Sequence, residues 1–129
     1  MTQPVTLLLG VHAHQPVGNF PEVIEDAHQR CYKPFLETLH AYPDFRFAAH
    51  FSGWLLDWLR QRHPADLELL AAMVRRGQVE LFSSGDTEPV LAAIPHRDRV
   101  GQLRVLNDKL AAWTGVKPSG AWLTERVWE

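Results

Sequence analysis

Four short apolar runs separated by stretches of helical periodicity constrain this chain more than any other feature. Residues 5–11, 45–51, 79–83 and 120–124 read as strands, the first apolar enough for burial on both faces. Residues 21–41, 53–62, 65–76 and 97–113 read as helices. The first helix opens with Pro21 and Glu22, as helix N-termini favour. Its apolar face is expected at Val23, Ala27, Cys31, Phe35 and Leu39, four residues apart. Gly77, after Arg75 and Arg76, reads as a helix stop. The order β-α-β-α-β-α-β implies an α/β fold with a parallel sheet and right-handed crossovers. Alternation alone does not separate an open sheet from part of a closed barrel.

The 129 residues suffice for one domain with a core, but not for two. A net charge of -2 gives no reason to expect nucleic acid or an anionic membrane as partner. The single cysteine, Cys31, rules out a disulfide framework or a Cys-based zinc site, and it is expected to be half-buried in the first helix. The N-terminal apolar run is too short for a signal-peptide core, and nothing approaches the roughly 20 apolar residues of a membrane span. A soluble, cytoplasmic protein is expected. There is no P-loop and no dinucleotide fingerprint.

In parallel α/β folds ligands bind at the carboxyl ends of the strands. His12 and His14 follow the first strand here, and His50 lies near the end of the second. The stretch from Ser84 to Pro89 follows the third, and Glu125 and Arg126 follow the fourth. All would meet on one side of the sheet. His12 and His14 are two apart and point the same way in a strand. They could hold a metal with His50 and Glu88 as further ligands, donate to sugar hydroxyls, or cap the strand end. Glu88, before Pro89, is expected to be extended. Glu125 sits among large aromatics, which stack on sugar rings, and a carboxylate can attack a sugar's oxocarbenium-like transition state. Strand alternation puts Trp122 toward the helices and lets Trp128, beyond the strand, reach the cleft. Trp54 and Trp58 read as packing residues.

Four motifs together resemble glycoside hydrolase family 57. They are His12-Ala13-His14-Gln15-Pro16-Val17-Gly18-Asn19-Phe20, Gly77-Gln78-Val79-Glu80-Leu81, Glu88-Pro89-Val90-Leu91-Ala92-Ala93-Ile94-Pro95 and Trp122-Leu123-Thr124-Glu125-Arg126-Val127-Trp128. The resemblance is to the family's 4-α-glucanotransferases and α-amylases and runs end to end. It implies that residues 1–129 are the first half, about four strands, of a (β/α)7 barrel. It also implies retaining action on α-1,4-glucans without a metal or other cofactor. Glu125 falls on the family's nucleophile, His14 and Glu88 on sugar contacts, and Trp122 on a tryptophan beside the nucleophile. His12, His50 and Trp128 join the expected substrate contacts, and the His-Gln-Pro continuation favours sugar over metal at the histidine pair. Asp86 and Thr87 stand where related sequences carry two aromatics. The family's acid/base is an aspartate beyond residue 129, so these residues are expected to be inactive alone. Their open sheet edges would then be covered by another copy of the chain. The alternatives are a non-catalytic carbohydrate-binding remnant and a metal-dependent hydrolase using His12 and His14.

Overall fold

The computed structural model describes residues 3–128. Strands β1 (Gly10–Ala13), β2 (Phe47–Phe51), β3 (Val79–Ser83) and β4 (Gly120–Ala121) form one sheet in the order β1-β2-β3-β4. Every pairing is parallel. Helices α1 (Pro21–Ala27), α2 (Lys33–His40), α3 (Gly53–Arg62), α4 (Pro64–Arg75) and α5 (His96–Thr114) fill the connections, and a π-helical turn, His28–Tyr32, joins α1 to α2. The alternation read from the sequence is therefore the architecture observed. It fits the first half of a (β/α)7 barrel. Among the described residues no helix is long and apolar enough to cross a membrane.

Alternate strand residues take different surroundings. Phe47, Ala49, Phe51, Val79 and Leu81 pack with Leu55, Leu56, Leu59, Leu70, Met73, Leu106 and Leu110 from the helices in one core. Each fully buried leucine there contributes about 1.5–3 kcal/mol. The residues between them on β1 and β2, His12 and His50, pair across the sheet on its other face. Ser52 caps α3 by accepting from the Leu55 N–H at 3.4 Å. Gly77 (φ 74) and Gly115 (φ 77) close α4 and α5 in the left-handed conformation.

Three expectations are corrected. The first strand begins at Gly10, not residue 5, and Val5, Leu7 and Leu8 are exposed rather than buried on both faces. The reason is pairing: β2 begins only at Phe47, so the ladder starts where Ala48 N–H donates to the Leu9 carbonyl at 2.9 Å. The fourth strand ends at Ala121, and Thr124–Arg126 form a 3-10 turn instead of extending it. The buried row of the first helical segment is Ile24, His28 and Leu36, and Cys31 is exposed. With the partly buried Tyr32 that row is also four-spaced, one residue along, but a histidine sits in it and hides it from an apolar count. His28 Nε2 pairs with Asp66 Oδ2 at 2.9 Å and His63 Nε2 with Glu25 Oε2 at 2.9 Å, which ties the π-helical turn to the start of α4 and α1 to the α3–α4 junction.

Gln78 closes the loop between α2 and β2. Its buried side-chain amide faces the carbonyls of Leu39, Tyr42 and Phe45 at 2.7, 3.0 and 3.2 Å. Its oxygen accepts from Arg76 Nε at 2.8 Å.

Candidate active site at the strand ends

The parallel order sends the carboxyl ends of all four strands to one edge of the sheet. Register places His12 beside His50. Trp122 follows β4, its N–H donating to the Ser83 carbonyl at 2.7 Å. These positions build a contiguous polar cluster.

His12 Nδ1 lies 2.8 Å from His50 Nδ1. His50 Nε2 lies 2.8 Å from Ser84 Oγ. The Glu88 side chain is only 4% exposed. One of its oxygens hydrogen-bonds His14 Nδ1. The other is 3.7 Å from both His12 Nε2 and His50 Nδ1. The Trp122 ring lies flat over His12, with centroids 4.3 Å apart and planes 7° apart. Burial lowers the His50 pKa to about 3, reinforced by the charges of His12 and His14, so His50 is a neutral imidazole near pH 7. Burial also lowers His12, against the raising effect of Glu88.

Loop anchors explain why these side chains converge. Tyr32 accepts from Gln15 Nε2 at 2.8 Å and donates to the His14 carbonyl at 3.1 Å, while Asn19 donates to Gln15 Oε1 at 2.9 Å. That fixes the loop after β1. The loop after β3 is fixed by the Asp86 and Thr87 N–H groups, which donate to the Gln102 carbonyl (3.3 Å) and Oε1 (3.0 Å). Gly53 N–H donates to the Asp86 carbonyl at 3.0 Å, and Lys109 ion-pairs with Asp86 at 2.8 Å and Asp57 at 2.5 Å. Asp86 thus serves as an anchor in place of the aromatic expected from related sequences.

Backbone conformation marks the same places. Among the described residues, the non-glycine positions with positive φ are Glu88 (53), Glu125 (54) and Arg126 (57). Such strain gathers where function over-determines the chain. Glu88 is therefore not extended, as Pro89 had suggested: the turn closed by Glu88 N–H on the Gly85 carbonyl at 2.9 Å overrides that preference.

The sequence-predicted residues His12, His14, His50, Glu88 and Trp122 come together. Trp122 faces this cluster and not the helices, because Gly120 pairs with Phe82, so the strand presents positions 120 and 122 to the His50 side. Glu125 is exposed on the turn after β4, and among the described residues no hydrogen bond or ion pair ties its carboxylate to the cluster. Trp128 is 81% exposed and stacks on no described ring, so it does not enter the cluster. Sequence reading placed Ser84 at a strand end without giving it a role, and it missed Tyr32 and Lys109. The partners that tie them to the site lie 17 to 52 residues away, and no local pattern announces them.

Donor atoms of His12, His50 and Glu88 lie within 4.8 Å of one another, as do those of His28, His63 and Asp66. In the first group both His50 nitrogens are already engaged by His12 and Ser84. In the second the two imidazoles stack at 3.8 Å, which aims their lone pairs alongside one another and not at a common point. Hydrogen bonds already engage both His50 nitrogens and the Nε2 atoms of His28 and His63.

The sequence profile described as Glycosyl hydrolase family 57 matches residues 8–129. The chain is 46% identical over 129 residues to an α-amylase of Pyrococcus furiosus, covering 100% of this chain and 20% of that protein. It is 48% identical over 125 residues to a 4-α-glucanotransferase of Thermococcus kodakarensis, covering 97% of this chain and 19% of that protein. The crystal structure of a 4-α-glucanotransferase from Thermococcus litoralis superposes with a TM-score of 0.90 at 47% identity, over 95% of this chain and 19% of that one. The chain thus spans about a fifth of the length of the curated relatives it matches.

Proposed function

Because this chain belongs to glycosyl hydrolase family 57, we propose that it is part of the catalytic barrel of a retaining α-1,4-glucan-active enzyme, a 4-α-glucanotransferase or an α-amylase. The supporting observation is the cluster at the strand ends. A nearly buried carboxylate, three imidazoles and a flat indole converge there, which is the mixture of hydrogen-bonding and stacking groups that a sugar ring needs.

In this reading Glu125 is the nucleophile. It attacks the anomeric carbon, and a second carboxylic acid about 5–5.5 Å away protonates the leaving oxygen. A covalent glycosyl-enzyme intermediate results. The same second group then takes a proton from the acceptor, a glucan hydroxyl for transfer or water for hydrolysis. The family resemblance assigns that group to an aspartate outside residues 1–129. Glu88 and the histidines orient the sugar bound before the bond breaks, with Trp122 as a wall. Trp128, exposed beyond the turn, offers a further stacking surface.

The test is Glu125→Gln in a protein carrying both carboxylates. Turnover of maltooligosaccharides is expected to vanish while their binding persists. Retained turnover would remove Glu125 from the nucleophile role. Residues 1–129 alone are expected to bind maltooligosaccharides without cleaving them.

A further inference from the structure

Ser84 is fully buried, and its hydroxyl has a single hydrogen to give. It makes two contacts at 2.8 Å, one to the Gly85 carbonyl and one to His50 Nε2. A carbonyl oxygen only accepts, so both contacts are satisfied in one way. Ser84 donates to Gly85, and His50 Nε2–H donates to Ser84. His50 is neutral, so its Nδ1 carries a lone pair. The 2.8 Å contact between His50 Nδ1 and His12 Nδ1 needs one hydrogen, and only His12 can supply it. His12 is then the Nδ1–H tautomer, and its Nε2 is a bare acceptor. The Nε2 distance to Glu88 Oε1 agrees: two acceptors with no hydrogen between them stand 3.7 Å apart, outside hydrogen-bond range.

We propose that Ser84 is a positioning residue. It orders the protons along Ser84–His50–His12 so that His12 meets the ligand as a hydrogen-bond acceptor through Nε2. The class of ligand group this selects is a donor, such as a sugar hydroxyl. That identification rests on the glucan reading above, whereas the proton order does not. Glu88, 3.7 Å from His12 Nε2, is also an acceptor, so a hydroxyl bound between them donates to one of the two. A carboxylate or phosphate oxygen would meet only lone pairs there. The orientation is set from the protein interior outward: the Gly85 carbonyl is the fixed end, and the Trp122 ring holds the His12 plane.

The test is long-range 15N–1H NMR of the histidine side chains at neutral pH, on the full chain without ligand. The expected result is Nδ1–H on His12 and Nε2–H on His50. Nε2–H on His12 in the unaltered protein overturns the proposal, with no variant needed. In Ser84→Ala, His50 loses its acceptor, and the His12 signal is expected to move toward the Nε2–H tautomer, with Ser84→Thr restoring the original pattern. An unchanged His12 tautomer in Ser84→Ala overturns the role of Ser84. Maltotetraose titrated into the same sample is expected to shift His12 Nε2, and Ser84→Ala to weaken that binding roughly two- to tenfold, the worth of one hydrogen bond. The expected tautomers without a response to maltotetraose would support the proton order and count against the glucan reading.

Discussion

Replacing Gln78 by glutamate keeps the shape of a buried side chain and reverses the polarity of one end. The native amide has two hydrogens facing three carbonyls, those of Leu39, Tyr42 and Phe45. Gln78→Leu deletes those bonds and the oxygen that Arg76 uses, at a cost of about 1–3 kcal/mol. Gln78→Glu keeps an oxygen for Arg76, whose guanidinium pairs with the new charge, but turns the other oxygen toward three carbonyls with no hydrogen between them. We expect about 4 kcal/mol for that change, more than for the leucine variant, although glutamate is the closer mimic. For 129 residues the unfolding entropy is about 0.27 kcal/mol/K, so the melting temperature should fall by about 15 °C for glutamate and about 7 °C for leucine. Thermal unfolding followed by tryptophan fluorescence measures both at pH 7. Toward pH 4 the glutamate takes up a proton, regains a donor, and the two variants should converge. A glutamate variant as stable as the native protein at pH 7 would refute the assignment of Gln78 as a donor to this loop.

Two further expectations follow from packing and from protons. A Cβ at Gly53 would lie 1.9 Å from Asp86 Oδ1 and 2.7 Å from the Asp86 carbonyl. Gly53→Ala should therefore displace the loop carrying Glu88 and cost about 1–3 kcal/mol, with maltooligosaccharide binding weakened in parallel; unaltered stability in calorimetry would contradict the contact. His50, lowered to about 3 in the folded protein, takes up its proton in the unfolded chain from pH 6.5 downward. Stability should be full above that value and fall as the pH drops, by ~1.4 kcal/mol per pH unit from this group. His50→Gln should flatten the slope between pH 6 and 4 by one proton, measured as urea midpoints, and an unchanged slope would show that another group carries it.

Element order was legible because apolar periodicity changes sharply between strands and helices, and β3 and α3 lie where the sequence placed them. Strand ends were less so. An apolar run such as Val5 to Leu9 states a preference for burial, but only a partner strand decides whether it is met, and β2 starts too late to supply one. The site was legible as a set of strand-end residues: His12, His14, His50, Glu88 and Trp122 converge as the parallel topology requires. Side-chain direction was not. Which face Trp122 takes is set by the pairing of Gly120 with Phe82, a register the sequence does not state, and the φ of Glu88 depends on contacts with residues as distant as Gln102. Ser84 shows the limit most plainly. Nothing around it in sequence separates it from Ser83, yet its hydroxyl sits where two histidines depend on it.

The agreement of strand order with sequence order bears on how the fold is reached. Each strand pairs with the one made just before it, and the helix between them covers the joint. Loop closure for each of these three pairings is therefore short. During synthesis, which runs at about 5–20 residues per second, β1 can dock with β2 as soon as α1 and α2 have emerged, and each later unit adds to a finished edge. The growing edge stays open only for as long as the next unit takes to appear. Strand order of this kind permits assembly from the N-terminus, in which the histidines of β1 and β2 can meet before Glu88 and Trp122 arrive to complete the cluster around them.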